Sequence, residues 1–254
     1  MKIYFLGTGT SQGIPVIGSN HPVCLSKNPK DKRLRTALLI TLNSVNIVFD
    51  CGPDFRQQML NSKCVHLDAI LFTHEHADHT AGLDDIRPFN FKRGPMPIFG
   101  EQRVIENLKE RFGYVFETEN RYPGAPAVQT NLIFENKPFK VNDIEILPIR
   151  ALHGWLEIFG FRISDFVYLT DVKSMDQNEI NKIYNVNIMV INALRITPHE
   201  THFNLEEALD FIKKTNPKKA YITHISHLLG FHDEVQAKLP ENVFLAYDNL
   251  EIEF

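Results

Sequence analysis

Cysteine is scarce in this sequence: Cys24, Cys51 and Cys64 are the only three in 254 residues. They are too few and too scattered for the disulfide framework that staples small secreted domains. A reducing, cytoplasmic setting is the expectation. No apolar run approaches the roughly 18–20 residues of a membrane span. The N-terminal run Met1–Gly7 is too short for a signal peptide and lacks a small-residue cleavage site, so it reads as a first strand. A dense basic run is also missing. Lys213, Lys214, Lys218 and Lys219 form the one cluster, read as a solvated face near a helix end, and the net charge is −4. That balance disfavours nucleic acid as the main partner. Repeats, low-complexity segments and linkers are absent as well.

What is present is ordinary globular material. Hydrophobic content of 43% and charge of 23% suit a chain that builds one packed α/β domain over residues 1–254. Strand-like runs fall near 2–6, 36–42, 45–50, 67–73, 131–135, 144–150, 157–163, 166–170, 188–192, 219–223, 243–247 and 250–254. Asn43-Ser44 reads as a hairpin turn. Helical patterns fall near 53–62, 83–90, 101–112, 174–183, 204–215 and 232–238, with Asn204 a good N-cap. Strand clusters with helices between them occur twice. The expected fold is an αββα sandwich, two mixed β-sheets flanked by helices. Residues 113–130 read as a long loop, suited to binding or to a homodimer contact.

The most informative segment is Leu71-Phe72-Thr73-His74-Glu75-His76-Ala77-Asp78-His79. It follows an apolar run. His74 and His76, two apart at a strand's end, are expected to point the same way. Asp78 and His79 lie past the strand, where the chain turns. One segment thus offers two imidazoles to one metal, and a carboxylate and an imidazole to a second; zinc and manganese accept that set. Three further candidates follow strand-like runs: His153, Asp171 and His224. Each has a plainer reading alone, as a hydrogen-bonded loop histidine, a helix N-cap and a core histidine respectively.

The segment resembles the H-x-H-x-D-H signature of the metallo-β-lactamase superfamily. Four more stretches sharpen the likeness: Leu6-Gly7-Thr8-Gly9-Thr10-Ser11-Gln12-Gly13, Phe49-Asp50-Cys51-Gly52-Pro53-Asp54, Tyr168-Leu169-Thr170-Asp171 and Thr201-His202-Phe203-Asn204-Leu205. Together they resemble the PhnP-type cyclic-phosphate phosphodiesterases over nearly the whole chain. The resemblance implies a binuclear site and a small anionic phosphodiester substrate. It implies that His74, His76, His153 and Asp171 hold one ion, and that Asp78, His79, Asp171 and His224 hold the other. It places His202 near the substrate phosphate, with His199 the nearby rival. Relatives of this type commonly carry three cysteines and a late histidine around a structural zinc. Here the matching positions are Ser19, His21, Cys24 and His227. Serine is a poor zinc ligand, so a third zinc on His21, Cys24 and His227 and the remnant of a lost site both stay open.

Two divalent ions (zinc or manganese) bring four positive charges. Asp78 and Asp171 return two and a bridging hydroxide one, which leaves a site suited to an anionic diester. The hydroxide is the expected nucleophile, with His202, Asp78 and Asp171 as the catalytic side chains. Asp50 is expected to orient a ligand histidine, or to cap the turn before Gly52. Gly7, Gly9 and Gly13 are expected to bring the first loop close to the site. Rival activities on this motif are a tRNA 3′-end nuclease and a thioester or lactam hydrolase.

Overall fold

In a computed structural model, which describes residues 1–119 and 121–254, the chain forms two seven-stranded mixed sheets. The first has the order β14-β1-β2-β3-β4-β5-β6 and the second β13-β12-β11-β10-β9-β8-β7. The strands of the first are β1 (Lys2–Gly7), β2 (Ala37–Leu42), β3 (Val45–Phe49), β4 (Ala69–Leu71), β5 (Met96–Gly100), β6 (Val128–Leu132) and β14 (Glu251–Glu253). Those of the second are β7 (Phe139–Val141), β8 (Ile144–His153), β9 (Leu156–Ile163), β10 (Phe166–Tyr168), β11 (Ile188–Asn192), β12 (Lys219–Thr223) and β13 (Val243–Leu245). The helices are α1 (Pro22–Leu25), α2 (Phe55–Ser62), α3 (Ala77–Thr80), α4 (Arg87–Arg93), α5 (Gln102–Arg111), α6 (Gly113–Phe116), α7 (Gln177–Lys182), α8 (Leu205–Thr215) and α9 (His232–Gln236).

Three apolar layers explain the stacking. Phe5, Phe49 and Leu71 of the first sheet meet Phe159, Phe161, Tyr168 and Val190 of the second. Val48, Ile70 and Ile98 face outward under Phe55, Met59, Val104 and Leu108 of α2 and α5. Val167, Met189 and Ile222 face outward under Ile180, Phe211 and Val235 of α7, α8 and α9. Central strands buried on both faces give unbroken apolar runs instead of alternation. The order helix, sheet, sheet, helix is the expected αββα sandwich.

Several elements depart from the sequence expectation. β5 was not expected, because Pro97 and Gly100 read as strand breakers; it nonetheless pairs in parallel with both β4 and β6. β7 is three residues beside Pro138, too short to register as a pattern. β6 lies at 128–132 instead of 131–135, since its face toward solvent is polar. Part of the expected 113–130 loop is α6. The 174–183 helix begins only at Gln177, because Ser174 donates its N–H to Leu152 and is held in a bridge to β8. Asn204 caps α8 in a full capping box with Glu207.

β3, β4, β10, β11 and β12 run parallel to a neighbour, and their carboxyl ends share one rim. Open α/β sheets bind ligands at such ends. The loop after β1 is tied there too: Thr10 donates its N–H to the Ile225 carbonyl and Ile225 donates to that of Thr8. Gly7 is needed for another close approach than the one expected. A Cβ there would lie 2.0 Å from the Arg35 carbonyl oxygen, so the glycine lets β1 pass the 33–35 segment.

Behind this loop Asp248 accepts from Thr8 Oγ1 at 2.7 Å and from the Leu34 N–H at 2.6 Å. Removal of its oxygens from water pushes its carboxyl up to about 6, against the pull of those donors and of Arg33. A raised carboxyl favours the folded state most at low pH, and that contribution is lost as pH rises through about 6. Melting curves between about pH 4 and 7 should therefore show wild type gaining on Asp248→Asn as pH falls, mostly below about 6. A pH-independent gap between the two would count against a titrating Asp248.

Candidate metal centre

The chain leaves β4 at Leu71, so His74 and His76 do not share a strand face as expected. They converge all the same, with Nε2 of His74 2.9 Å from Nδ1 of His76. Asp78 and His79 sit on α3, a single helical turn. β8 runs past its apolar stretch and ends on His153. Asp171 lies in the turn after β10, so it is not a helix cap, and His224 follows β12 directly.

These seven side chains meet. Ligand atoms of His74, His76 and His153 lie within 4.8 Å of one another, as do those of Asp78, His79 and His224. A third group, His74, His79 and Asp171, joins the two. Asp171 stands between its neighbours: Oδ2 is 3.1 Å from His79 Nε2, and Oδ1 is 3.1 Å from His224 Nε2. Asp78 Oδ2 is 3.2 Å from His79 Nε2 and 3.6 Å from that of His224. Ligands sharing a tetrahedral ion at ~2.1 Å stand ~3.4 Å apart, so the donor set fits a divalent cation.

Ring tautomers support the fit. His79 donates from Nδ1 to Asp50 Oδ2 at 2.7 Å, and His153 donates from Nδ1 to the Thr201 carbonyl at 2.7 Å. In the neutral rings Nε2 then carries the lone pair, as metal-ligating imidazoles require. Nε2 of His79 and of His224 are buried with no hydrogen-bond partner, a costly state unless a cation takes them. Asp50 thus orients the His79 ring. It also accepts from the N–H and hydroxyl of Thr73, at 2.9 Å and 3.0 Å.

The electrostatics ask for positive charge. Burial pulls the His79 ring down, but Asp78, Asp171 and Asp50 outweigh it and hold it well above the usual histidine range. Burial pushes Asp171 up, but His224 and His79 outweigh it and hold the carboxyl well down. Burial, then the His79 ring, pushes His74 toward the neutral form. The backbone is committed as well: Asp50, Asp171 and His224 adopt left-handed φ of 64°, 61° and 54°. Gly52 lets the post-β3 turn pack on α3, since a Cβ there would lie 2.0 Å from the Asp78 carbonyl oxygen.

The profile of the Beta-lactamase superfamily domain matches residues 45–225, which spans this whole constellation. The chain belongs to the metallo-β-lactamase superfamily. It has the fold of that superfamily. A solved structure described as a new diphosphatase from the PhnP family is 34% identical, with a TM-score of 0.92 over 100% of this chain and 97% of that one. An octanoyltransferase of Porphyromonas gingivalis is 38% identical over 99% of this chain and 51% of its own length. A ribonuclease Z of Listeria monocytogenes is 31% identical over 64% of this chain and 49% of its own. The chain spans about half the length of these curated relatives.

Within this metallo-β-lactamase centre His202 is buried, its ring 4.4 Å from that of His153 and 4.9 Å from that of His224. Its Nδ1 is 3.4 Å from Asp171 Oδ1, and it forms a further close group with His153 and Asp171. Burial pushes its ring down to about 3 despite Asp171, so it is neutral near pH 7. His199 stands behind it, its ring 5.2 Å away, with Nδ1 accepting the Thr201 N–H. The other trio lies apart. The His21 and His227 rings meet edge to face at 4.9 Å, while His21 Nδ1 caps α1 by accepting from Val23 and Cys24 is buried with Ile14 and Val23. Among the described residues, His21, Cys24 and His227 do not form a close ligand group.

Sequence reasoning passed over Thr73 and Thr170. The Thr73 hydroxyl touches Asp50 and lies 2.9 Å from His74 Nδ1, and that of Thr170 donates to Asp171 Oδ2 at 2.7 Å. Both stand directly before a ligand, so position in the motif was the available signal. The Thr201 carbonyl carries no side-chain signal at all.

Proposed function

We propose that the protein is a binuclear metallohydrolase of small phosphodiesters or diphosphates. The observation that supports this most is Asp171, whose carboxylate stands between two ligand groups with buried, unpartnered imidazole nitrogens facing it. The likeness to the diphosphatase of the PhnP family, over nearly all of both chains, points to phosphoryl chemistry.

Divalent ions held by these residues supply Lewis-acid polarisation of a phosphoryl oxygen and acidify water. The chain's own residues set the rest. Asp50 and the Thr201 carbonyl fix the His79 and His153 tautomers. Asp78 and Asp171 return only part of the cations' charge, leaving the centre attractive to an anion. His76 is exposed while His74 and His79 are buried, so substrate enters from the His76 side. His202, neutral and unpartnered at Nδ1, is placed to donate a ring N–H to a phosphoryl oxygen or the leaving group.

A second reading, RNA cleavage at the same centre, is raised by the ribonuclease Z likeness. A third, acyl chemistry, is raised by the octanoyltransferase match. One panel separates them: metal-loaded protein against a cyclic ribose phosphate, a nitrophenyl phosphodiester, a dinucleoside diphosphate, precursor tRNA, an octanoyl thioester and a β-lactam. The expected result is fastest turnover of a small diester or diphosphate. Faster cleavage of tRNA, thioester or lactam than of every small phosphate substrate refutes the proposal.

A further inference from the structure

Glu75 lies between the ligands His74 and His76, yet it turns away from the centre. Its Oε1 is ion-paired with Arg103 of α5, and its side chain is only 18% exposed. Arg103 reaches further: its second amino group donates to the Glu157 carbonyl of β9 at 2.6 Å. Glu157 pairs with Leu152 on β8, directly before His153. The same arginine lies 3.6 Å from Glu101, the residue that opens α5. Glu101 takes both arms of Arg150 on β8, at 2.7 Å and 3.2 Å. Arg150 is braced by the Phe159 ring, 3.8 Å from its guanidinium. At the far end of α5, Arg111 donates to the Glu75 carbonyl at 3.2 Å and to the Thr80 hydroxyl, next to His79, at 2.8 Å.

These contacts form a chain of charge from the first sheet's ligand segment, across the top of α5, to the second sheet's ligand hairpin. His74 and His76 belong to one side and His153 to the other. The three must meet within a few tenths of an ångström to share an ion. We propose that Arg103 is a positioning residue, which sets the affinity of the His74/His76/His153 half of the centre by holding Glu75 and Glu157 together. The proposal rests on the reading of this cluster as a metal site. Arg103 is 38% exposed, and an ion pair open to water on one side adds little to stability by itself, so its effect should appear in the metal and not in the fold. Groups that orient ligands from behind typically change metal affinity 10–100-fold.

The test is chelator competition with zinc, and the visible spectrum of the cobalt-loaded protein, for wild type, Arg103→Ala and Arg103→Lys. Arg103→Ala should weaken one of the two ions by roughly 10–100-fold and leave the other within about threefold. It should alter the cobalt bands of that ion. Melting of the metal-free protein should move by no more than roughly 2–4 °C. Arg103→Lys, which keeps the charge and one arm, should recover part of the affinity. If Arg103→Ala does not fold, Glu75→Gln should give the same selective loss. Unchanged affinity for both ions with unchanged cobalt bands overturns the proposal, as does equal weakening of both ions together with a large melting shift. Wild-type protein that takes up no metal overturns the underlying reading, and this proposal with it. Wild-type uptake matched by Arg103→Ala overturns this proposal alone.

Discussion

Asp171→Ala is expected to remove most activity and most bound metal at once. Wild type purified without chelator should carry two equivalents of zinc, manganese or iron. The carboxylate of Asp171 is 3.1 Å from imidazole nitrogens on two sides and joins ligand groups with His74 and with His153. Its removal leaves Asp78 alone to face the Nε2 atoms of His79 and His224, and takes away one of the two carboxylates that would offset the cations. Metal assistance is worth several kcal/mol of barrier, so the rate should fall by roughly 10³-fold or more. His76→Ala should deplete only the His74/His76/His153 side. Elemental analysis and turnover of a phosphodiester measure both effects. A folded Asp171→Ala protein with full metal content and full activity would falsify the assignment.

His202→Ala should give the next largest effect, with a different signature. Metal content and fold should persist, because on the proposed reading the ions rest on the other seven side chains. The rate should drop by roughly 10²–10⁴, the range for lost acid–base or oxyanion help. The closeness of His202 to His153 and Asp171 makes ligation its structural rival, and metal analysis decides between them. If His202 protonates the leaving oxygen, the loss should shrink for a nitrophenolate leaving group. A uniform loss across leaving groups assigns it to phosphate binding. Loss of an ion, or an unchanged rate on every diester, takes it out of this role and leaves His199 as the next candidate.

Much of the site could be read in the sequence because its ligands sit in one compact motif or just beyond strongly apolar strands. His153, Asp171 and His224 each follow a run that burial on two faces keeps apolar, so the pattern marked both the strand and its end. His74 and His76 converge for another reason than a shared strand face: the strand stops at Leu71, and the loop, with Thr73 bonded to Asp50, brings them together. β5 was hidden because a proline in a central strand contradicts the usual preference. The Arg103–Glu75 pair was invisible for another reason. An arginine on a helix surface carries no sign of the partner 28 residues away, and only the folded arrangement supplies it.

The left-handed backbone at Asp50, Asp171 and His224 has a consequence for how this protein can change. A side chain in that region costs about 1–2 kcal/mol relative to ordinary backbone, and glycine would relieve it. Glycine, however, brings no carboxylate or imidazole. A search for more heat-resistant variants under metal-depleted conditions should therefore drift toward glycine at 171 and 224, trading catalysis for stability. The same search with metal present should leave both positions alone, because the bound ions add their own binding energy to the folded state. The centre is thus a standing tension in the chain, which bound ions would offset.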